Sequence, residues 1–250
     1  LISHTEQLVT DQNSAIEVAV ERVNQKITSV TDLSYLLAEN DSLFTYVING
    51  MTGVENDYFA YDEIQDLFSG VSQNANIAEI YFYDANTGRI IASHTALSDA
   101  SMFFRYRYRF SDRTPEEAVQ RLREYKWGYS YSPAAQVLVN NRTMDVMEYR
   151  LSVPIDRLGD HQSQLIISLD VKELFQDFFD VLHDDAEFYI YDTRGSVYCS
   201  GTTYSEFSDV SLPGKLERQR LGNEKLYTVE LPINNGLWQV QFFYPEVDGT

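Results

Sequence analysis

One pattern occurs twice in this chain, and it limits the fold more than any other feature. Ile80-Tyr81-Phe82-Tyr83-Asp84 leads through a short turn ending at Gly88 into Arg89-Ile90-Ile91-Ala92-Ser93. Phe188-Tyr189-Ile190-Tyr191-Asp192 leads through a turn ending at Gly195 into Ser196-Val197-Tyr198-Cys199-Ser200. Each copy reads as a strand, a polar turn and a returning strand, with glycine supplying the dihedral freedom that a hairpin turn needs. A second matched pair follows in the same order. Tyr149-Arg150-Leu151-Ser152-Val153-Pro154-Ile155 corresponds to Tyr227-Thr228-Val229-Glu230-Leu231-Pro232-Ile233, and each precedes an apolar strand, at 164–169 and 238–244. The chain therefore reads as two tandem modules of one antiparallel-sheet design. Leu174, Phe175, Phe178 and Val181/Leu182 have helical spacing and predict a helix at the join.

Ahead of the repeat, residues 1–39 contain neither Pro nor Gly. Ile16, Ala19/Val20, Val23, Ile27, Val30 and Leu37 recur at intervals of three and four, broken only by Ser34, and predict a single helix about 55–60 Å long. Its apolar stripe either packs on its own domain alone or also meets a partner helix across a homodimer. Asn40-Asp41-Ser42 breaks the pattern. Shorter helices are expected at 43–49 and 61–69, the second capped by Asp62. The fold class is α+β: a long N-terminal helix and two modules with antiparallel sheets.

The modules differ in one respect. Between the hairpin glycine and the Pro-Ile pair lie 65 residues in the first (89–153) and 36 in the second (196–231). Long segments inside compact domains carry function more often than not, so the larger insertion points to the first module.

Composition removes whole classes of function. A formal charge of −19 repels phosphate backbones and anionic headgroups, which argues against nucleic acid as a partner. No stretch approaches the ~18–20 apolar residues that span a bilayer. The chain opens in mid-helix without a methionine, which predicts a piece of a longer protein. The single Cys199 excludes an internal disulfide and reads as a small buried hydrophobe in a strand. His4, His94, His161 and His183 are dispersed without metal-ligand spacing. Asp84-Ala85-Asn86-Thr87-Gly88 is a hairpin turn rather than a calcium loop, since its glycine falls one position early and no Glu closes it. No P-loop, dinucleotide fingerprint or nucleophile elbow occurs. No cofactor, metal or catalytic residue is expected.

The two Tyr-x-Tyr-Asp hairpins, Tyr149–Ile155 leading into "LIISLDVKEL", and the closing "GLWQVQFFYP" together resemble the double Cache family, across nearly the whole chain. The resemblance implies two PAS-like modules in the extracytoplasmic part of a bacterial transmembrane receptor. Flanking helices outside this sequence would anchor it, and the output would be a histidine kinase, an AraC-type regulator or a chemotaxis module. The implied division is 1–69 for the long helix and short helices, 70–170 for the membrane-distal module and 171–250 for the membrane-proximal one. In the family a small polar ligand occupies the distal module, and an Asp ending its last strand contacts the ligand amine in members that bind amino acids. Asp170 matches that position. The same members carry Arg-x-Trp-Tyr, where this chain reads Tyr125-Lys126-Trp127-Gly128-Tyr129, keeping the Trp and a nearby Tyr but not the Arg or the spacing.

The insertion holds Phe103-Phe104-Arg105-Tyr106-Arg107-Tyr108-Arg109-Phe110, and residues 101–131 contain seven of the chain's 19 basic residues. Read as a strand, this segment places Phe104, Tyr106, Tyr108 and Phe110 on one face and the arginines on the other. One of Arg105, Arg107 or Arg109 then meets an anionic group of the ligand, the register deciding which, with Arg107 and its neighbour Tyr106 as the candidates for the site, or the arginines pair with surface carboxylates. Trp127, Tyr129 and Tyr131 form either a pocket wall or a core patch beneath the insertion. Asp170 either contacts ligand or caps the helix that follows it. The alternatives to a ligand sensor are an extracellular protein-binding or structural module and, third, an enzyme.

Overall fold

The computed structural model describes residues 4–56, 58–125, 128–155, 162–182, 186–200 and 226–245. The protein divides into two compact units, one of residues 29–173 and the other of residues 1–28 with 174–250.

Helix α1 (His4–Ala38) runs through both sequence ranges. Ile16, Ala19, Val23, Ile27, Val30 and Leu37 are buried on one stripe, and so is the polar Ser34, whose hydroxyl donates to the Thr31 carbonyl at 2.6 Å. Helix α2 (Asp41–Thr52) begins where Asn40 accepts from the Ser42 amide, and it ends at Gly53 in the left-handed region (φ 75). Helix α3 (Tyr58–Val71) starts four residues before Asp62, so the capping role expected of Asp62 does not hold: it lies inside the helix.

The first unit is built on an eight-stranded antiparallel sheet. Its strands are β1 (Ile77–Asp84), β2 (Arg89–Ala92), β3 (Thr95–Leu97), β4 (Tyr108–Phe110), β5 (Tyr129–Tyr131), β6 (Ala135–Val139), β7 (Arg142–Val153) and β8 (Ser163–Asp170). They lie in the order β3-β2-β1-β8-β7-β6-β4, with β5 also paired to β7. The long β7 carries β6 along its first half and β5 at residues 149–151. Helices α4 (Ala100–Tyr106) and α5 (Pro115–Glu124) belong to the insertion. Helix α5 opens on a full capping box, Thr114 with Glu117, followed by Pro115 in the first turn.

The expected strand over 103–110 is mostly helix. Asp99 caps α4 by accepting from the Ser101 amide, and the chain extends only at β4. Helical geometry buries Phe103 and Phe104 together and turns Tyr106 outward, 70% exposed. Within β4 the alternation does hold, with Tyr108 and Phe110 buried and Arg109 exposed.

The second unit carries the four-stranded sheet β10-β9-β12-β11, from β9 (Glu187–Asp192), β10 (Gly195–Cys199), β11 (Leu226–Ile233) and β12 (Trp238–Pro245). The order matches β2-β1-β8-β7 of the first sheet, so the sequence repeat is a structural one. Its register differs in a detail. If Tyr83 is matched with Tyr191, the partners across the sheets are Gln164 and Ser152 in one and Gln239 and Pro232 in the other. Pro232 thus takes the place of Ser152 rather than Pro154. A two-residue offset keeps inward and outward positions unchanged, as the period of a strand requires. Helices α6 (Val171–Leu174) and α7 (Gln176–Val181) follow β8, and Phe175, Phe178, Phe188 and Phe242 form a buried aromatic cluster. Asn24 of α1 accepts from the Asn234 amide at 2.8 Å, and Asp177 binds Lys26 at 2.9 Å, joining α1 to this sheet and to α7. Cys199 is half-buried.

Candidate functional site

The central strands of the first sheet carry different chemistry on their two faces. On one face Ile80, Phe82, Leu165, Ile167, Met147, Tyr149 and Leu151 are buried, and Tyr46 of α2 meets Phe82 edge-on at 6.0 Å. The opposite face is crossed by three rows of in-register residues: Glu79-Ser168-Glu148, Tyr81-Ile166-Arg150 and Tyr83-Gln164-Ser152. Helices α4 and α5 cover this face, and Tyr81 and Ile166 pack with Phe103, Phe104, Tyr108, Val119 and Leu122. Eight of the nine row residues carry a polar or ionisable group, Ile166 being the exception, an arrangement that a buried sheet face does not need for packing.

A network ties most of these groups. The Tyr81 hydroxyl donates to Glu148 Oε1 at 2.5 Å, and Arg150 donates to Glu148 Oε2 at 2.8 Å. Tyr108 and Ser168 share a hydrogen bond of 2.6 Å beside them. Burial, then the Glu148 carboxylate, pushes the Tyr81 phenol well above its ordinary value. For Arg150 burial opposes the charge, but Glu148 beside it outweighs that and the guanidinium is held more firmly protonated. Glu79 accepts from the Ile80 amide and from Ser93, and burial raises its pKa; Arg107 and His94 pull it the other way.

Three atoms at one end of the face are buried without a hydrogen-bond partner among the described residues: Arg150 Nε, Ser152 Oγ and Gln164 Oε1. Gln164 spends its amide on the Leu122 carbonyl of α5 at 2.6 Å. Ser152 and Gln164 face each other across β7 and β8. Tyr125 stands close by, its hydroxyl donating to the Gly128 carbonyl at 2.8 Å and near enough to the Ser152 hydroxyl to interact with it beyond ordinary hydrogen-bond geometry.

The residues singled out by sequence are dispersed over this frame. Asp170 lies on the polar face, opposite Val146, two residues beyond Ser168. Its Oδ1 accepts from the Lys172 amide at 2.9 Å and from the Glu173 amide at 3.4 Å, so it caps α6. Arg107 is exposed at the end of α4 with its charge felt by Glu79, and Tyr106 precedes it, turned to solvent. Arg105 pairs with Glu116 at 2.6 Å. Tyr129 and Tyr131 sit on the other face, in register with Leu151 and Tyr149. Tyr131 packs 4.8 Å from the Tyr149 ring and shares a 3.3 Å hydrogen bond with Thr31 of α1; burial pushes its phenol up to about 12. Trp127 lies outside the described residues. Asp170 and Arg107 are thus at the rim of the polar face, and the two tyrosines are behind it. The sequence reading missed Tyr81, Glu148, Arg150, Ser152 and Gln164, although Glu148, Arg150 and Ser152 alternate along β7 and mark one face of it.

Among the described residues no group of His, Cys, Asp or Glu is placed to hold a metal ion, and no helix is long and apolar enough to cross a membrane.

No protein-family model matches the chain, and no curated protein matches it. Solved structures do. A domain of a sensory box/GGDEF family protein from Vibrio parahaemolyticus superposes with a TM-score of 0.59 at 10% identity, covering 97% of each chain. The sensory domain of the Campylobacter jejuni chemoreceptor Tlp3, solved with isoleucine bound, gives 0.54 at 11% identity over 97% of this chain and 94% of that one. The sensor domain of the V. cholerae histidine kinase DctB gives 0.51 at 12% identity over 97% and 100%. Similarity at this level of identity speaks to architecture, and it agrees with the matched sheets described above. The chain shares the fold of these sensory domains, a long helix followed by two PAS-like modules.

Proposed function

We propose that this chain is the extracytoplasmic ligand-sensing region of a bacterial membrane receptor, and that a small polar molecule binds the first module at the face beneath α4 and α5. The observation that carries this reading is the set of buried polar atoms left without partners on that face, Arg150 Nε, Ser152 Oγ and Gln164 Oε1. Burying such groups unpaired costs stability, and folds keep them chiefly where something else completes them. Asp170 and Arg107 stand at the rim, where they would guide the ligand, and Trp127 is a candidate contact on its sequence alone. The sensing role is supported by the fold shared with receptor sensory domains, of which Tlp3 was solved with isoleucine. Flanking helices would anchor the chain in the membrane, and α1 would carry the signal, with homodimerisation along its length.

A thermal-shift screen of metabolites on the intact chain, followed by calorimetry, tests the assignment. A ligand that binds should lose affinity by roughly 10-fold or more in Ser152→Ala and in Asp170→Ala. Wild-type affinity in both variants, with normal folding, would place the site elsewhere.

A further inference from the structure

The unpartnered atoms say more than that something binds, because their donor and acceptor characters differ. Arg150 Nε–H can only donate, Gln164 Oε1 can only accept, and the Ser152 hydroxyl does both. All three lie on one face, with Ser152 opposite Gln164 and Arg150 two residues along β7. A group that meets them must therefore both accept and donate. A carboxylate only accepts and would turn a lone pair toward Gln164 Oε1. An ammonium only donates and would meet the Arg150 Nε–H. A single hydroxyl or carboxamide group satisfies all three, whereas an amino acid would have to divide them between its carboxylate and its ammonium.

Charge points the same way. The Arg150 guanidinium is already matched by Glu148 at 2.8 Å, and Glu148 takes a further hydrogen bond from Tyr81. The other carboxylate buried on this face, Glu79, bonds Ser93 and the Ile80 amide. Asp170 is committed to the backbone of α6. Among the described residues of this layer the Arg150 guanidinium thus offers no unmatched positive charge, and an anion taken out of water here would be buried at a net cost. An uncharged ligand avoids that cost.

Resting on the sensing role proposed above, we infer that the first module recognises an uncharged molecule bearing hydroxyl or carboxamide groups, through Arg150 Nε, Ser152 and the Gln164 side-chain carbonyl. Arg150 acts here as a neutralised hydrogen-bond donor rather than as an anion receptor.

The test is titration calorimetry on the whole chain with D-glucose, D-galactose, D-ribose, myo-inositol and nicotinamide as uncharged probes, against L-isoleucine, L-glutamate and succinate. The expected result is binding of at least one uncharged probe and of none of the charged ones. Ser152→Ala and the near-isosteric Gln164→Glu should each weaken it by roughly 10-fold to 100-fold. Circular dichroism confirms that each variant folds, and Ser152→Ala, which removes one atom, keeps the test open should Gln164→Glu fail to fold. Binding of a charged probe that is weakened by Ser152→Ala would overturn the inferred class while leaving the site in place. Uncharged probes that bind equally well to wild type, Ser152→Ala and Asp170→Ala would overturn the site itself. Absence of binding by every uncharged probe at millimolar concentration overturns the class as well.

Discussion

Each module sets a tyrosine hydroxyl on a glutamate across its sheet, and the surroundings of the two pairs could hardly differ more. In the first module Tyr81 donates to Glu148 beneath α4 and α5, where both side chains are removed from solvent. In the second, Tyr191 donates to Glu230 on a face where Glu230 is exposed and Tyr191 stacks on a half-buried Tyr189 at 5.5 Å. Among the described residues of the second module the large buried side chains lie on the other side, in Phe175, Phe178, Phe188 and Phe242. One sheet design has thus been used once with a polar interior layer and once with an aromatic one. The difference follows the insertion: a face that would have met water becomes an interior when α4 and α5 close over it, and its polar residues must then satisfy one another.

The sharpest way to break this comparison is to remove one partner of the buried pair. Arg150→Met leaves Glu148 buried and uncompensated and should destabilise the chain by about 3–5 kcal/mol, whereas Glu148→Leu/Arg150→Met should recover most of that loss. Urea denaturation of the three proteins decides the matter, and equal stability of the two variants would mean that the pair is not held in an interior. A milder change separates the modules directly. Tyr81→Phe should cost roughly 1.5–3 kcal/mol, because a buried charged acceptor loses its donor, while Tyr191→Phe should cost no more than about 0.5 kcal/mol in a solvated setting. Similar costs at both sites would erase the distinction drawn here.

The smallest expected effect depends on pH. Burial raises the Glu79 pKa above the ordinary glutamate value of 4.5, so the folded state prefers the protonated acid. Stability is then full below the unfolded value and is lost as pH rises through the folded one. Glu79→Gln, which cannot ionise, should match wild type at acid pH and exceed it progressively as pH climbs above 4.5. Thermal melts across that range that stay parallel would show that Glu79 is solvated.

How much of this was legible in the sequence depends on which residues are asked about. The paired hairpins and their following strands were plain, because period-two alternation and a glycine in the turn are local properties. So was α1, whose apolar stripe needs no partner to be read. Asp62 failed as a cap because Tyr58 and Phe59 extend α3 toward its N-terminus, and neither signals a helix start. The strand expected at 103–110 failed because alternation of Arg with aromatics is neutral between a strand and a short helix capped by Asp99. The polar layer was hidden for a deeper reason. Glu148, Arg150 and Ser152 alternate with Tyr149, Leu151 and Val153, which is how a strand with one wet face reads. Only the tertiary position of α4 and α5 turns that face inward. Tyr129 and Tyr131 show the converse: their aromatic character suggested a wall of the site, and strand register sends both to the far side.

That register gives β5 and β7 a mechanical character. Ser130 and Arg150 look toward the polar layer, while Tyr131 and Tyr149, one residue away on each strand, look back, with Tyr131 reaching Thr31 of α1. Neighbouring residues on a strand are only ~3.3 Å apart along it, and they are rigidly linked by the backbone between them. The ribbon is therefore a rocker with a short arm. Tilting it by a few degrees to admit or release anything on one side must swing the tyrosines on the other, and close packing leaves no slack in which that swing could dissipate.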